Sequence, residues 1–217
     1  MANVRSISAA RDALHWQPNL LTSDAAAPAI DAAFSSARRI ALDDAAWVDH
    51  VGGWVRGDDA LFEHIVAHAP FQHRTVRMYD RMVQEPRLTA WYGSALDHES
   101  VPVIVSEMAD ALQRRYHRSF DGVGAALYRD GRDSVAWHSD RIDPTLVEPV
   151  VAIVSLGSAR TLRMRPRERK RGPARPFLLL PGDLFVMGGA AQTTWQHSVP
   201  KVARAGARLS LQFRHST

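Results

Sequence analysis

This sequence predicts an α+β chain: an antiparallel β-barrel or jelly roll supported by N-terminal helices. Three observations carry that prediction. From Gly122 onward, short runs of β-favouring residues recur at close spacing, separated by turn signals such as Asp130-Gly131 and Pro181-Gly182-Asp183. Before that point, apolar residues recur at three- and four-residue spacing, as on a helix face. The length of 217 residues, with 46% hydrophobic and 23% charged, suits one sizeable core rather than two full domains.

Residues 1–46 are rich in alanine and serine, with Pro18 and Pro28 limiting helix length. They read as an N-terminal extension packed on a body of residues 47–217, with a short helix at 28–38. A better helix covers 58–68, where Asp58 or Asp59 can cap the start, Leu61, Phe62, Ile65 and Val66 share a face, and Pro70 follows. A third covers 102–116, with Pro102 in its first turn, Ile104, Val105, Met108, Leu112 and Tyr116 on one side, and Arg114 and Arg115 near its end. Strands are expected at 123–129, 134–138, 150–156, 160–164, 176–180, 183–187 and 207–213.

Composition excludes some chemistries. Cysteine is absent, so disulfides, zinc–thiolate sites and cysteine nucleophiles are ruled out. No charged leader precedes an apolar core, and no run nears the roughly 20 apolar residues of a membrane span. A cytoplasmic protein with no membrane role is the expectation. The net charge of +4 says little, but Arg160, Arg163, Arg165, Arg167, Arg169, Lys170, Arg171 and Arg175 cluster within 160–175 with one acid, Glu168. This run is read as a surface loop and a candidate phosphate contact.

Three groups of residues carry candidate chemistry. His138 and Asp140 are two apart, so on a strand both side chains share a face. Completed by the distant His197, they form a 2-His-1-carboxylate set, which binds Fe(II) and leaves coordination positions open for a co-substrate and O2. Arg208 and Arg214 share a face of the last strand with Ser210 and Gln212, and two guanidinium forks suit a dicarboxylate. Tyr128 lies ten residues before His138, where its phenol could reach the same ligand, or it is a satisfied core tyrosine. Trp91 and Tyr92 offer aromatic faces that can stack bases, or they serve core and surface.

Together these residues resemble the AlkB family of Fe(II)/2-oxoglutarate dioxygenases. The resemblance runs through Tyr128-Arg129-Asp130-Gly131-Arg132-Asp133-Ser134-Val135-Ala136-Trp137-His138-Ser139-Asp140, Val154-Ser155-Leu156-Gly157, Gly182-Asp183-Leu184, Trp195-Gln196-His197-Ser198-Val199-Pro200 and the strand from Arg208 to Arg214. It implies a double-stranded β-helix (jelly roll). It also implies Fe(II) on His138, Asp140 and His197, and 2-oxoglutarate held by Arg208, Tyr128 and Arg214, with O2 as oxidant. The implied activity is oxidative demethylation of N-alkylated bases for alkylation damage repair, by a monomer acting on single-stranded DNA first and RNA second. Trp91, Tyr92 and Arg141 would face the substrate. The chain departs from the family pattern at Ala126 and Ser210, where relatives carry asparagines that assist the co-substrate. It departs again at Arg141 and Ile142, where repair members place acids and this chain has only the displaced Asp143. The alternative is a dioxygenase of the same fold acting on a protein, lipid or small molecule.

Overall fold

A sheet whose central strands are buried along their whole length must be covered on both faces there, and this fold is built around such a sheet. The computed structural model describes Leu14 and residues 27–214 except 79, 93–100, 141, 142, 144 and 169–172. In chain order the strands are β1 (Ala29–Ile30), β2 (Ala37–Ala41), β3 (Ala46–Val51), β4 (Val55–Arg56), β5 (Gln72–Met78), β6 (Arg81–Trp91), β7 (Gly122–Tyr128), β8 (Val135–His138), β9 (Val151–Gly157), β10 (Arg160–Pro166), β11 (Arg175–Leu179), β12 (Leu184–Gly189), β13 (Trp195–Val199) and β14 (Arg208–Arg214). The helices are α1 (Asp58–His68), α2 (Val103–Tyr116) and the single turn α3 (Ala191–Thr194).

Eight strands form one sheet in the order β2-β3-β12-β9-β14-β7-β6-β5, and four form a second in the order β11-β10-β13-β8. Every strand pair is antiparallel. Strand alternation then sorts the apolar side chains. On β9, Val151 and Ile153 join Leu162, Met164, Phe177, Leu179 and Trp195 in a core between the two sheets. Ala152, Val154 and Leu156 face the other way, against Phe62 and Ile65 of α1 and Met108 and Leu112 of α2. The helices thus cover one face of the large sheet and the small sheet covers the other. Met108 and Leu112 are fully buried, and each contributes about 1.5–3 kcal/mol by leaving water.

Seven expected strands appear within a residue or two of their expected bounds, as β7 through β12 and β14, and so do both longer helices. At α1 the cap is Gly57, in the left-handed region, and Asp58 and Asp59 occupy the first turn instead, where the helix dipole favours them. The helix expected at 28–38 does not form. Asp31 accepts hydrogen bonds from the amides of Ala33 and Ser35 and from the Ser35 hydroxyl. This side chain-to-backbone turn competes successfully with helix, and the segment emerges as β1, a turn and β2. β2 then pairs with β3 at the edge of the large sheet. The hairpin of β5 and β6 and the strand β13 were not expected. β13 holds His197, flanked by polar Gln196 and Ser198, and reads as a loop until its partners on both sides are known.

Candidate active site

Register brings the two histidines together. β8 pairs with β13 so that His138 lies directly opposite His197, and both imidazoles leave the same face. Their ring centroids are 4.2 Å apart. Asp140 follows just past the end of β8, and the ligand atoms of His138, Asp140 and His197 all lie within 4.8 Å of one another. Two contacts fasten this turn. Ser139 Oγ donates to the Trp195 carbonyl at 2.7 Å, and the Asp140 amide donates to Gln192 Oε1 at 3.3 Å.

The protonation states suit a cation. His138 Nδ1 lies 2.9 Å from the Ala136 carbonyl; a carbonyl only accepts, so Nδ1 carries the proton and the Nε2 lone pair is left for a ligand bond. Burial drives the His197 imidazole down to about 4, so it is neutral at neutral pH. Burial opposes ionisation of Asp140, but the His197 imidazole, protonated only at the low pH where this carboxyl titrates, and the Arg214 guanidinium outweigh it and hold the carboxyl below its usual range. Arg214 spends Nη2 (2.7 Å) and Nε (3.2 Å) on Asp140 Oδ1. Asp140 Oδ2 is buried without a hydrogen-bond partner among the described residues and lies 3.7 Å from His197 Nε2. With His197 neutral this approach is no ion pair. An orphaned carboxylate oxygen beside two imidazole lone pairs fits a divalent metal bound on one face.

Behind the triad, β14 lays Arg208, Ser210, Gln212 and Arg214 along one wall of an inner cavity. Arg208 is 1% exposed. Its Nε donates to Ser155 Oγ at 3.0 Å, while its Nη1 is buried and unpartnered among the described residues. Tyr128 is its cross-strand neighbour on β7, and the guanidinium lies 5.3 Å from the phenol ring centroid. Burial pushes Arg208 down to about 10, so it stays cationic at neutral pH. A buried cation with a spare donor beside a phenol fits a carboxylate. Ser210 and Ala126 pair directly across β14 and β7, so the two departures from the AlkB pattern are neighbours in space. Gln212 Nε2 donates to the Ser210 hydroxyl and carbonyl at 3.1 and 3.2 Å.

A larger cleft opens over His138 and Asp140, walled by the β5–β6 hairpin, Trp137 and Arg214. Trp91 lines it and is 57% exposed. Its indole lies across β7 where two side chains are missing. A Cβ on Gly122 would meet the ring at 2.8 Å, and one on Gly124 would meet it at 3.3 Å. Tyr92 does not face this cleft. Alternation sends it to the opposite side, into the core with α2, where burial pushes its phenol up to about 12; it leaves the substrate group. Arg141 and Ile142 lie outside the described residues. Arg87 and Glu85, on the same face of β6 as Trp91, line the cleft and were not singled out from the sequence; counting back from Trp91 in steps of two would have found them.

The basic stretch divides. Arg160 is buried and donates to the carbonyls of Asp130, Asp133 and Pro200, a structural role that removes it from any phosphate surface. Arg165 lies over Trp137 at 4.3 Å and donates to Gln196. Arg163 and Arg167 are exposed on the outer side of the small sheet. Residues 169–172 lie outside the described residues.

The sequence pattern of the 2OG-Fe(II) oxygenase superfamily matches residues 59–214. The chain is similar to "Alpha-ketoglutarate-dependent dioxygenase alkB homolog 3" of Bos taurus, 34% identical over 72% of this chain and 60% of that protein. It is likewise similar to the Homo sapiens protein of that name, 33% identical over 74% and 62%, and to "DNA oxidative demethylase ALKBH2" of Arabidopsis thaliana, 28% identical over 71% and 60%. The chain therefore spans about 60% of the length of these relatives. Among solved structures it resembles "The structure of OsALKBH1", with a TM-score of 0.58 and 14% identity, covering 82% of this chain and all of that one. At that identity the likeness is one of fold, and it bears out the jelly roll.

Proposed function

Because this chain belongs to the 2OG-Fe(II) oxygenase superfamily, we propose that it is an AlkB-type Fe(II)/2-oxoglutarate dioxygenase that removes alkyl groups from ring nitrogens of nucleic-acid bases. The observation that carries this reading is the triad itself: paired histidines, and a carboxylate with one oxygen held by Arg214 and the other left over. His138, Asp140 and His197 would hold the metal, and Arg208, Tyr128 and Arg214 the co-substrate. Bound Fe(II) with 2-oxoglutarate and O2 supplies oxidation of the N-linked carbon, so that a methyl group leaves as formaldehyde while the co-substrate becomes succinate and carbon dioxide.

The chain's own residues bind and orient. Arg214 keeps Asp140 ionised and aimed, so the carboxylate meets the metal without rearranging. The buried Arg208 end draws a dicarboxylate inward, because a carboxylate would satisfy both its charge and its spare donor. Trp91, with one indole face on glycine backbone and the other open, offers a surface on which a base stacks at the cleft mouth. Residues 47–217 form the catalytic body in this reading, and 1–46 an extension whose last strand closes a sheet edge.

The finer reading is a cytoplasmic monomer acting on single-stranded DNA first and RNA second. Lack of cysteine accords with a reducing compartment. A base already unpaired avoids the cost, roughly a few kcal/mol, of being flipped from a duplex. Among the described residues no helix is long and apolar enough to cross a membrane. The names of the matched relatives, a DNA oxidative demethylase among them, support a nucleic-acid substrate. Oligonucleotides bearing single methyl lesions, incubated with protein, Fe(II), ascorbate and 2-oxoglutarate, should lose the mass of a methylene group. Succinate formed without any such loss would favour a protein, lipid or small-molecule substrate.

A further inference from the structure

Resting on the co-substrate assignment above, we propose that Arg87 is a second guanidinium of the 2-oxoglutarate site, facing the distal carboxylate across Tyr128 from Arg208. The strand order β14-β7-β6 sets three side chains in a row. Tyr128 of β7 is the register partner of Arg208 on one side. On the other, β6 pairs with β7 through Leu88 and Leu127, which brings Arg87, one residue back, beside Tyr128. Neighbouring strands lie about 4.8 Å apart, so the two arginines flank the phenol on the inward face. Both line the inner cavity.

Each of these arginines keeps a donor in reserve. Arg208 Nη1 and Arg87 Nε are both buried without hydrogen-bond partners among the described residues. Arg87 is only loosely engaged otherwise: its Nη1 lies 3.4 Å from the Tyr128 hydroxyl and its Nη2 3.4 Å from Glu85 Oε2. A committed charge-assisted bond is nearer 2.7–2.9 Å. An ionised carboxylate accepts about four hydrogen bonds, and the surrounding wall is short of donors. Ala126 offers none, and the Gln212 amide already donates to the Ser210 hydroxyl and carbonyl, which leaves the Ser210 hydroxyl as the one donor there. Arg208 Nη1, the Tyr128 hydroxyl and Arg87 Nε supply three donor atoms toward that number. Arg87 also lines the outer cleft, so it stands in the wall between co-substrate and substrate.

Anaerobic titration of the Fe(II)-loaded protein separates a binding role from a merely structural one. The ligands are 2-oxoglutarate and 2-oxopentanoate, which chelates through the same 2-oxo acid but has no distal carboxylate. The visible charge-transfer band of the chelate reads binding of both. Arg87→Met should weaken 2-oxoglutarate binding by about tenfold or more and leave 2-oxopentanoate binding unchanged, with Arg87→Lys intermediate. Equal losses for the two acids, or no loss for either, would overturn the proposal. Should Arg87→Met not fold, Arg87→Lys decides: a loss confined to the dicarboxylate supports Arg87, and a uniform response overturns it. A native protein that shows no band with either acid would instead overturn the co-substrate assignment.

Discussion

Asp140 shows how much one side chain can be asked to do. One oxygen is tied to Arg214 and the other is buried with nothing to accept from among the described residues, an arrangement that costs free energy unless a ligand completes it. Asp140→Ala removes the carboxylate and strands Arg214 as well, and a facial triad has no spare donor. Alanine at His138, Asp140 or His197 should abolish 2-oxoglutarate turnover while circular dichroism still reports a folded protein; an Asp140→Ala protein releasing succinate at the native rate would sink the metal assignment. Arg208→Ala should raise the 2-oxoglutarate concentration needed for half-maximal turnover by a hundredfold or more, since losing one partner of a buried charge pair costs about 3–5 kcal/mol. An unchanged saturation curve would mean that the dicarboxylate binds elsewhere.

Among elements, the turn between β11 and β12 carries more than its length suggests. Gly182 adopts φ +78°, a conformation that glycine reaches without strain, and a Cβ there would run into the Val55 carbonyl. The next residue, Asp183, accepts from the amides of Gly53 and Leu180 and contacts His50 Nε2 at 2.8 Å. It thereby ties this turn to the β3–β4 connection. Burial pushes its carboxyl up, but these donors more than offset that and hold it below the usual range. A depressed carboxyl contributes stability that is complete above the unfolded-state value near 4 and is lost as pH falls through the folded value. Asp183→Ala should lower unfolding free energy by about 3 kcal/mol at neutral pH. The gap between variant and native protein should narrow in denaturant titrations below about pH 4; a gap that widened there would contradict the assignment.

At the scale of the whole molecule, the basic stretch after β10 is the part to test for a polyanionic partner. Arg163 and Arg167 lie exposed on the outer side of the small sheet, with Arg165 held over Trp137. Each phosphate neutralised on a single strand contributes about −0.7 to the slope of log affinity against log salt. Replacing Arg167, Arg169, Lys170 and Arg171 with serine should flatten that slope and weaken binding about equally for all sequences. An unchanged slope in salt-titrated binding would leave the stretch as an ordinary solvated surface. Arg160 is left out of the set because it is buried and its Nη1 and Nη2 are held by three backbone carbonyls.

Local patterns in the sequence were enough for β7 to β12, β14 and the two longer helices, and for singling out the three candidate ligands. Period-two alternation marks β14 and continuous apolar runs mark β7 and β9, turn glycines punctuate them, and His138, Asp140 and His197 belong to motifs readable without coordinates. What depends on strand pairing was not legible. Nothing near Arg87 in the chain points to Arg208; they approach because β6 and β14 both hydrogen-bond to β7. Trp91 and Tyr92 are indistinguishable as aromatic neighbours until the sheet assigns one to the cleft and the other to the core. Arg160 reads as one more charge in a basic run, yet the fold buries it. Residue type and spacing set which chemistry is possible, because they act over a few bonds. Register decides which side chains share a cavity, because it joins residues far apart in sequence through hydrogen bonds between strands.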